Sequence, residues 1–377
     1  MVTFIIIFPG HIFYQLTIHA GLFPPLLGGY FTAAALATFP IVFLSIVCAT
    51  YLRIGIGVAL FGGFMLLFGI GVAFGIQKGV TQEITSPQVA FFLKFVCFYL
   101  LAATTPWEQK RFQHICRLST VLLACLIIFC TFHYGMTFTT DVDADNDKQM
   151  DYQGMAFAYI VVVLGALQGS GQTVRILIYS LSIPVLFIIG ARAEFVGFFV
   201  IIALTEYFLA RSRIVFMLKM VAVLTLAIYT AFLTQNIIGD NRIFSLLHAG
   251  SDESVMERRD LHADALRTIQ QHPLLGDYGS YEPGGYAHNL LSAWVDLGLP
   301  GFVILNLLFV VALLDMCFKG NARRWGHSLA FSVAMVASAY FLLIVAKAYT
   351  YQMIPIALGS YLHMQSRVFR LKTSGIA

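Results

Sequence analysis

The chain has 377 residues, 59% of them hydrophobic and 11% charged, with a mean hydropathy of +0.81. A water-soluble globular domain lies far from these values, so composition excludes it and leaves a membrane protein. The net charge of +4 comes from basic residues scattered in short clusters between apolar runs; that pattern sets topology and gives no sign of nucleic acid as a partner.

An α-helix needs roughly 20 apolar residues to cross a hydrocarbon core about 30 Å thick. Such runs recur near 3–19, 30–51, 55–76, 88–104, 115–134, 153–168, 174–191, 194–210, 214–234, 289–317, 327–346 and 350–364. The expected fold is therefore all-α and polytopic, with about twelve transmembrane helices in one membrane domain over 1–377. The first run has no basic segment before it and no clear small-residue cleavage site, so it is expected to stay as the first helix. The six cysteines, Cys48, Cys97, Cys116, Cys125, Cys130 and Cys317, all lie in or beside apolar segments, which argues against a disulfide framework.

Basic residues orient the spans. With the N-terminus inside, the inner connections hold Arg53, Lys110, Arg111, Arg117, Arg175, Arg211, Arg213, Lys219, Lys319, Arg323, Arg324, Arg367, Arg370 and Lys372, which are 14 of the 23 Lys and Arg. Of the acidic residues only Glu108, Glu206 and Asp315 fall on that side, leaving 16 of 19 outside. The basic residues satisfy the positive-inside rule in this orientation.

Two outer segments stand out by length. The first, Tyr134 to Tyr152, contains alternating carboxylates at Asp141, Asp143, Asp145 and Asp147. A helix-loop-helix calcium site needs glycine at its sixth position and glutamate at its twelfth, where this chain has Asn146 and Tyr152, so the stretch is expected to be a solvated acidic loop with calcium as the lesser alternative. The second is the long loop 235–288 between spans nine and ten; a connection of that length is functional or disordered.

Inside this loop, Ser254 to His272 predicts an amphipathic helix, with Val255, Leu261, Ala265 and Ile269 near helical spacing, Ser254 or Asp252 as its cap and Pro273 as its stop. It is too polar to span and suits the headgroup interface, a lid or a packing role. Arg258, Arg259 and Arg267 give it a cationic side. Glycine-punctuated sequence follows from Gly276 to Gly285, where tight turns and close backbone approach are expected. His288 then stands at the mouth of the next span, placed for a general base or, more plainly, for a boundary hydrogen bond. Elsewhere, Arg192 and Glu194 interrupt two apolar spans with almost no loop between them. Ionisable groups so placed are functional candidates, unless they simply pair or reach the headgroups.

The run Arg258-Arg-Asp-Leu-His-Ala-Asp-Ala-Leu-Arg-Thr-Ile-Gln-Gln-His-Pro-Leu-Leu-Gly276, then Tyr286-Ala-His-Asn289, then Asp296-Leu-Gly-Leu-Pro-Gly301, resembles the core of the bacterial O-antigen ligase and polymerase superfamily. The close match covers about 45 residues, and the span count, the Arg192 segment and the single large loop extend it loosely. The resemblance implies a GT-C type integral-membrane glycosyltransferase of the bacterial inner membrane, working at the periplasmic face on glycans carried by undecaprenyl pyrophosphate. The family's pyrophosphate-binding arginines fall on Arg192 and Arg258, with Arg259 as the neighbour that a shift of helix register would present, and its proposed catalytic histidine falls on His288. No cofactor or metal is implied. His262 stands where the family often has an aromatic residue, commonly tryptophan, and is expected to serve packing.

Within that resemblance a polymerase would move the growing chain onto a lipid-linked repeat unit, and a chain-length regulator is a possible partner. A ligase would deliver the finished chain to lipid A-core. Only eleven residues separate Gly276 from His288, where ligases often carry a longer insertion, which favours the polymerase. A transporter or flippase is the alternative from another class; broken helices repeated in two halves would mark it, and the sequence has no such symmetry.

Overall fold

A computed structural model describes residues 1–22, 29–47, 55–134, 151–238, 253–319 and 322–373. Cys48, Arg53, the acidic stretch 141–147 and the part of the long loop at 239–252 lie outside the described residues. Thirteen helices and no strand are described: α1 (Val2–His19), α2 (Tyr30–Val47), α3 (Ile56–Gln77), α4 (Gln82–Thr104), α5 (Lys110–Tyr134), α6 (Tyr152–Leu167), α7 (Gln172–Ile189), α8 (Arg192–Leu209), α9 (Arg213–Ile238), α10 (Glu253–Gln271), α11 (Leu291–Lys319), α12 (Ala322–Val345) and α13 (Met353–Thr373). Twelve of them lie where apolar runs were expected, and α10 is the polar helix of the long loop.

Nine of the described helices are long and apolar enough to cross a membrane, so the chain is a multi-pass membrane protein. Of the others, α6 has only 16 residues, α8 carries Arg192, Glu194 and Glu206, α13 ends in Arg367, Arg370 and Lys372, and α10 is polar. The outward side chains of the spanning helices are apolar; on α9 they include Ile214, Met217, Leu218, Val221, Leu224 and Ile228. Water would penalise such a surface, whereas hydrocarbon accepts it because each helix satisfies its own backbone.

The chain divides into two compact units. Unit 1 comprises Met1–Ala34, Pro106–Ala249 and Ala322–Ala334, and unit 2 comprises Ala35–Thr105, Gly250–Asn321 and Met335–Ala377. At the centre of unit 1 is α6, buried at every position from Met155 to Leu167 and packed on α1, α5 and α7. A helix apolar on all sides suits such a place as it suits lipid, and here packing decides for the interior. Phe4, Phe112 and Trp107 pack edge to face beside it. In unit 2, α4 pairs with α13, α3 with α11, and α10 lies on α11.

Candidate functional site

Backbone hydrogen bonds tie the stretch after α10 to the first turns of α11. The Asp277 N–H donates to the Val295 carbonyl at 2.7 Å, and the Leu299 N–H donates to the Leu274 carbonyl at 3.2 Å. Gly276 and Gly298 both have φ +67°, and a Cβ on Gly276 would sit 2.4 Å from the Val295 oxygen, one on Gly298 2.2 Å from the Leu274 oxygen. Only glycine tolerates both the left-handed backbone and that approach. Gly298 also breaks α11 just before Pro300. The Leu-Leu-Gly and Asp-Leu-Gly-Leu-Pro-Gly motifs are thus two halves of one backbone joint, reinforced by the Trp294 indole N–H donating to the Pro273 carbonyl at 2.8 Å.

Asp296 is the polar centre of this joint. It is 3% exposed and accepts from the Gly279 N–H at 3.2 Å, the Tyr281 hydroxyl at 3.0 Å and the Tyr349 hydroxyl at 2.9 Å. One carboxylate therefore gathers the glycine-rich turn, α11 and the α12–α13 connection. Two further contacts hold the turn: Lys78 bridges to Asp277 at 3.1 Å, and the Tyr278 ring seats against Gly71 and Gly75 of α3. Burial and the charge of Asp296 push the Tyr278 and Tyr281 phenols above their ordinary values, so both stay protonated; the Tyr281 hydroxyl donates to Asp296, whereas the buried Tyr278 hydroxyl has no hydrogen-bond partner among the described residues. The connections near 78, 272–290 and 346–352, which the expected alternation of spans puts on one side, do meet in unit 2.

On this platform His288 is half-buried, with the Tyr286 ring 4.7 Å away and tilted by 47°. Burial first, and then the positive charges of Arg258 and Lys347, lower its pKa to about 4. The Arg258 charge also acts on Tyr286. Of the two neighbouring arginines on α10, Arg258 is thus the one whose charge reaches His288 and Tyr286, although both are exposed. Arg267 turns elsewhere and pairs with Asp264 at 2.7 Å.

Several local expectations need revision. The cap of α11 is Asn289, whose Oδ1 accepts from the Leu291 N–H at 2.9 Å, so the boundary hydrogen bond considered for His288 belongs to its neighbour. Ser254 lies within α10 and Asp252 outside the described residues, while Pro273 follows the helix as expected. Ala265 and Ile269 are buried against Ala287 and Val295, which makes α10 a packed element of unit 2. His262 is exposed, not packed, and its Nδ1 is 2.9 Å from Asn289 Nδ2.

Arg192 is in the other unit. Gly190 closes α7 in the left-handed conformation, and after Ala191 the half-buried Arg192 opens α8, with Glu194 buried in the first turn. The structure thus brings together Arg258 and His288 within unit 2 and assigns Arg192 to unit 1. Unit 1 also holds a buried polar cluster around Glu206: Arg175 donates to it at 2.6 and 3.2 Å, the Tyr179 hydroxyl donates at 3.1 Å, and Lys219 completes the group. Arg175, Glu206 and Lys219 are residues that charge alone assigned to one common side.

Sequence reasoning gave no role to Asp296, Tyr349, Lys347 or Lys78. Asp296 stood inside a quoted motif, but the others carry no local signal, being distant in the chain from the residues they serve. No protein-family model matches the chain, and no curated protein matches it; function has to be argued from the site.

Proposed function

We propose that the chain is an integral-membrane glycosyltransferase that uses a glycan carried on undecaprenyl pyrophosphate. The observation that carries this reading is the half-buried His288 with two cations, Arg258 and Lys347, acting on it at the mouth of α11. Guanidinium and ammonium groups suit a diphosphate leaving group, and donors aimed at its departing oxygen stabilise the charge that develops there. The acceptor hydroxyl attacks the anomeric carbon, the bond from that carbon to the diphosphate oxygen breaks, and His288 takes the hydroxyl proton. General-base help of this kind is worth about 10²–10⁴-fold.

The low pKa of His288 fits this sequence of events. Without substrate the imidazole is neutral, and a bound dianionic diphosphate offsets Arg258 and Lys347, so the histidine gains basicity when the donor arrives. Membrane lipids surround the spans, and the site faces the periplasm of a bacterial inner membrane.

Polymerase is the preferred activity, because the eleven-residue stretch between Gly276 and His288 is compact. The test is purified protein in lipid, supplied with a synthetic undecaprenyl pyrophosphate-linked repeat unit. A ladder of products is expected, and His288→Ala and Arg258→Ala should each abolish it while inserting normally. Transfer that occurs only when lipid A-core is added would replace polymerase by ligase. Failure to transfer to either acceptor, with glycan lipid crossing the bilayer intact, would replace both by a flippase.

A further inference from the structure

A polar side-chain contact joins α10 to the start of α11. Asn289 Oδ1 accepts from the Leu291 N–H at 2.9 Å, which fixes the orientation of its amide. The NH2 group therefore faces His262, and it donates to His262 Nδ1 across 2.9 Å. Since an amide nitrogen is only a donor, that imidazole nitrogen must be unprotonated. Asn289 is itself a fixed point: its carbonyl accepts from the Ser292 N–H at 3.1 Å and the Ser292 hydroxyl at 2.7 Å, and Ser292 Oγ accepts from the Tyr349 N–H at 3.0 Å. The next residue back along the chain is His288.

His262 lies one helical turn after Arg258, the spacing that puts two side chains on one face of a helix. The buried apolar contacts of α10 sit further along, at Ala265 and Ile269. Toward its start Leu261 is half-buried, and Glu257, Arg258, Arg259 and Asp260 are exposed. Among the described side chains of this half of α10, His262 makes a polar contact with Asn289 at the start of α11.

We propose that His262 is a positioning residue which, by accepting from Asn289, holds Arg258 at its working placement relative to His288. This role rests on the glycosyl-transfer reading above. Arg258 serves the departing diphosphate and His288 the attacking hydroxyl, so their mutual placement governs the rate of transfer more than the affinity for the acceptor. A misplacement of about 1 Å is able to cost on the order of 10²-fold.

The test compares His262→Phe, which keeps a ring but has no acceptor, with His262→Asn, whose amide oxygen takes the place of Nδ1. Two readouts are taken on the full-length protein in lipid: kcat and KM for transfer, and hydrogen exchange of peptides covering α10 and 286–291. His262→Phe should lower kcat by roughly 10- to 100-fold with little change in KM for the acceptor, and should speed exchange in both peptides. His262→Asn should restore both readouts most of the way to wild type. Wild-type kcat and exchange in His262→Phe, or a His262→Asn protein as slow as His262→Phe, would overturn the proposal. If the wild-type protein itself transfers no glycan, the proposed function falls, and the exchange comparison then decides separately whether His262 holds α10 in place.

Discussion

Replacing Asp296 by alanine probes the joint on which the candidate site is built, and its cost follows from the surroundings. The carboxylate is 3% exposed and Tyr349 1% exposed. Each of its three hydrogen bonds contributes about 1 kcal/mol net, and a buried donor left without a partner costs about 1–3 kcal/mol more. Among the described residues the Tyr349 hydroxyl would retain Gln88 Oε1 at 3.5 Å, the edge of useful geometry. Tyr281 and Gly279 are half-buried and can recruit water, which trims their share. The expected loss is about 3–5 kcal/mol for Asp296→Ala and about 1–2 kcal/mol for Asp296→Asn, which keeps one acceptor oxygen at almost the same volume. Equilibrium unfolding in mixed detergent micelles, followed by tryptophan fluorescence, measures both, and Trp294 on the same helix reports locally. An Asp296→Ala protein within about 0.5 kcal/mol of wild type would refute the view that this carboxylate organises the turn, since surface changes are of that size.

The pKa of His288 should respond to its cations. Arg258→Gln removes a charge that disfavours the imidazolium, so the histidine, held at about 4 in the wild type, should titrate at higher pH in an ¹⁵N-histidine NMR series; an unmoved midpoint would contradict the electrostatic coupling. Because that value lies below the roughly 6.5 of an unfolded histidine, the unfolded chain binds more protons between the two, and the His288 contribution to stability declines as pH falls from about 6.5 to 4. In unit 1, Glu206→Ala leaves Arg175 and Lys219 without their shared carboxylate and should destabilise by about 3–5 kcal/mol in the same unfolding assay, whereas a neutral result would mean the cluster is solvated. Arg267→Ala breaks only the exposed pair with Asp264 and should change stability by less than about 1 kcal/mol, with transfer at the wild-type rate; slowed transfer would assign that face of α10 to the site.

Sequence alone determined the all-helical, multi-pass class, because hydrocarbon imposes a length and a composition that a window of about 20 residues displays; among the described residues nine helices meet that requirement, against about twelve expected spans. It determined the existence of α10 as well, since the spacing of Leu261, Ala265 and Ile269 is a local property. Only the tertiary structure decided which connections meet. Lys78 and Asp277 are 199 positions apart, Tyr349 and Asp296 53 apart, and His262 is exposed with its Nδ1 2.9 Å from Asn289 Nδ2 instead of packing in place of an aromatic. The matched glycines, Gly276 and Gly298, belong to the same category. The physical reason is that apolar helix faces are nearly interchangeable as partners. Their hydropathy says that they will be buried or face lipid, while the few polar groups that select a partner reveal it only once both chain segments are in place.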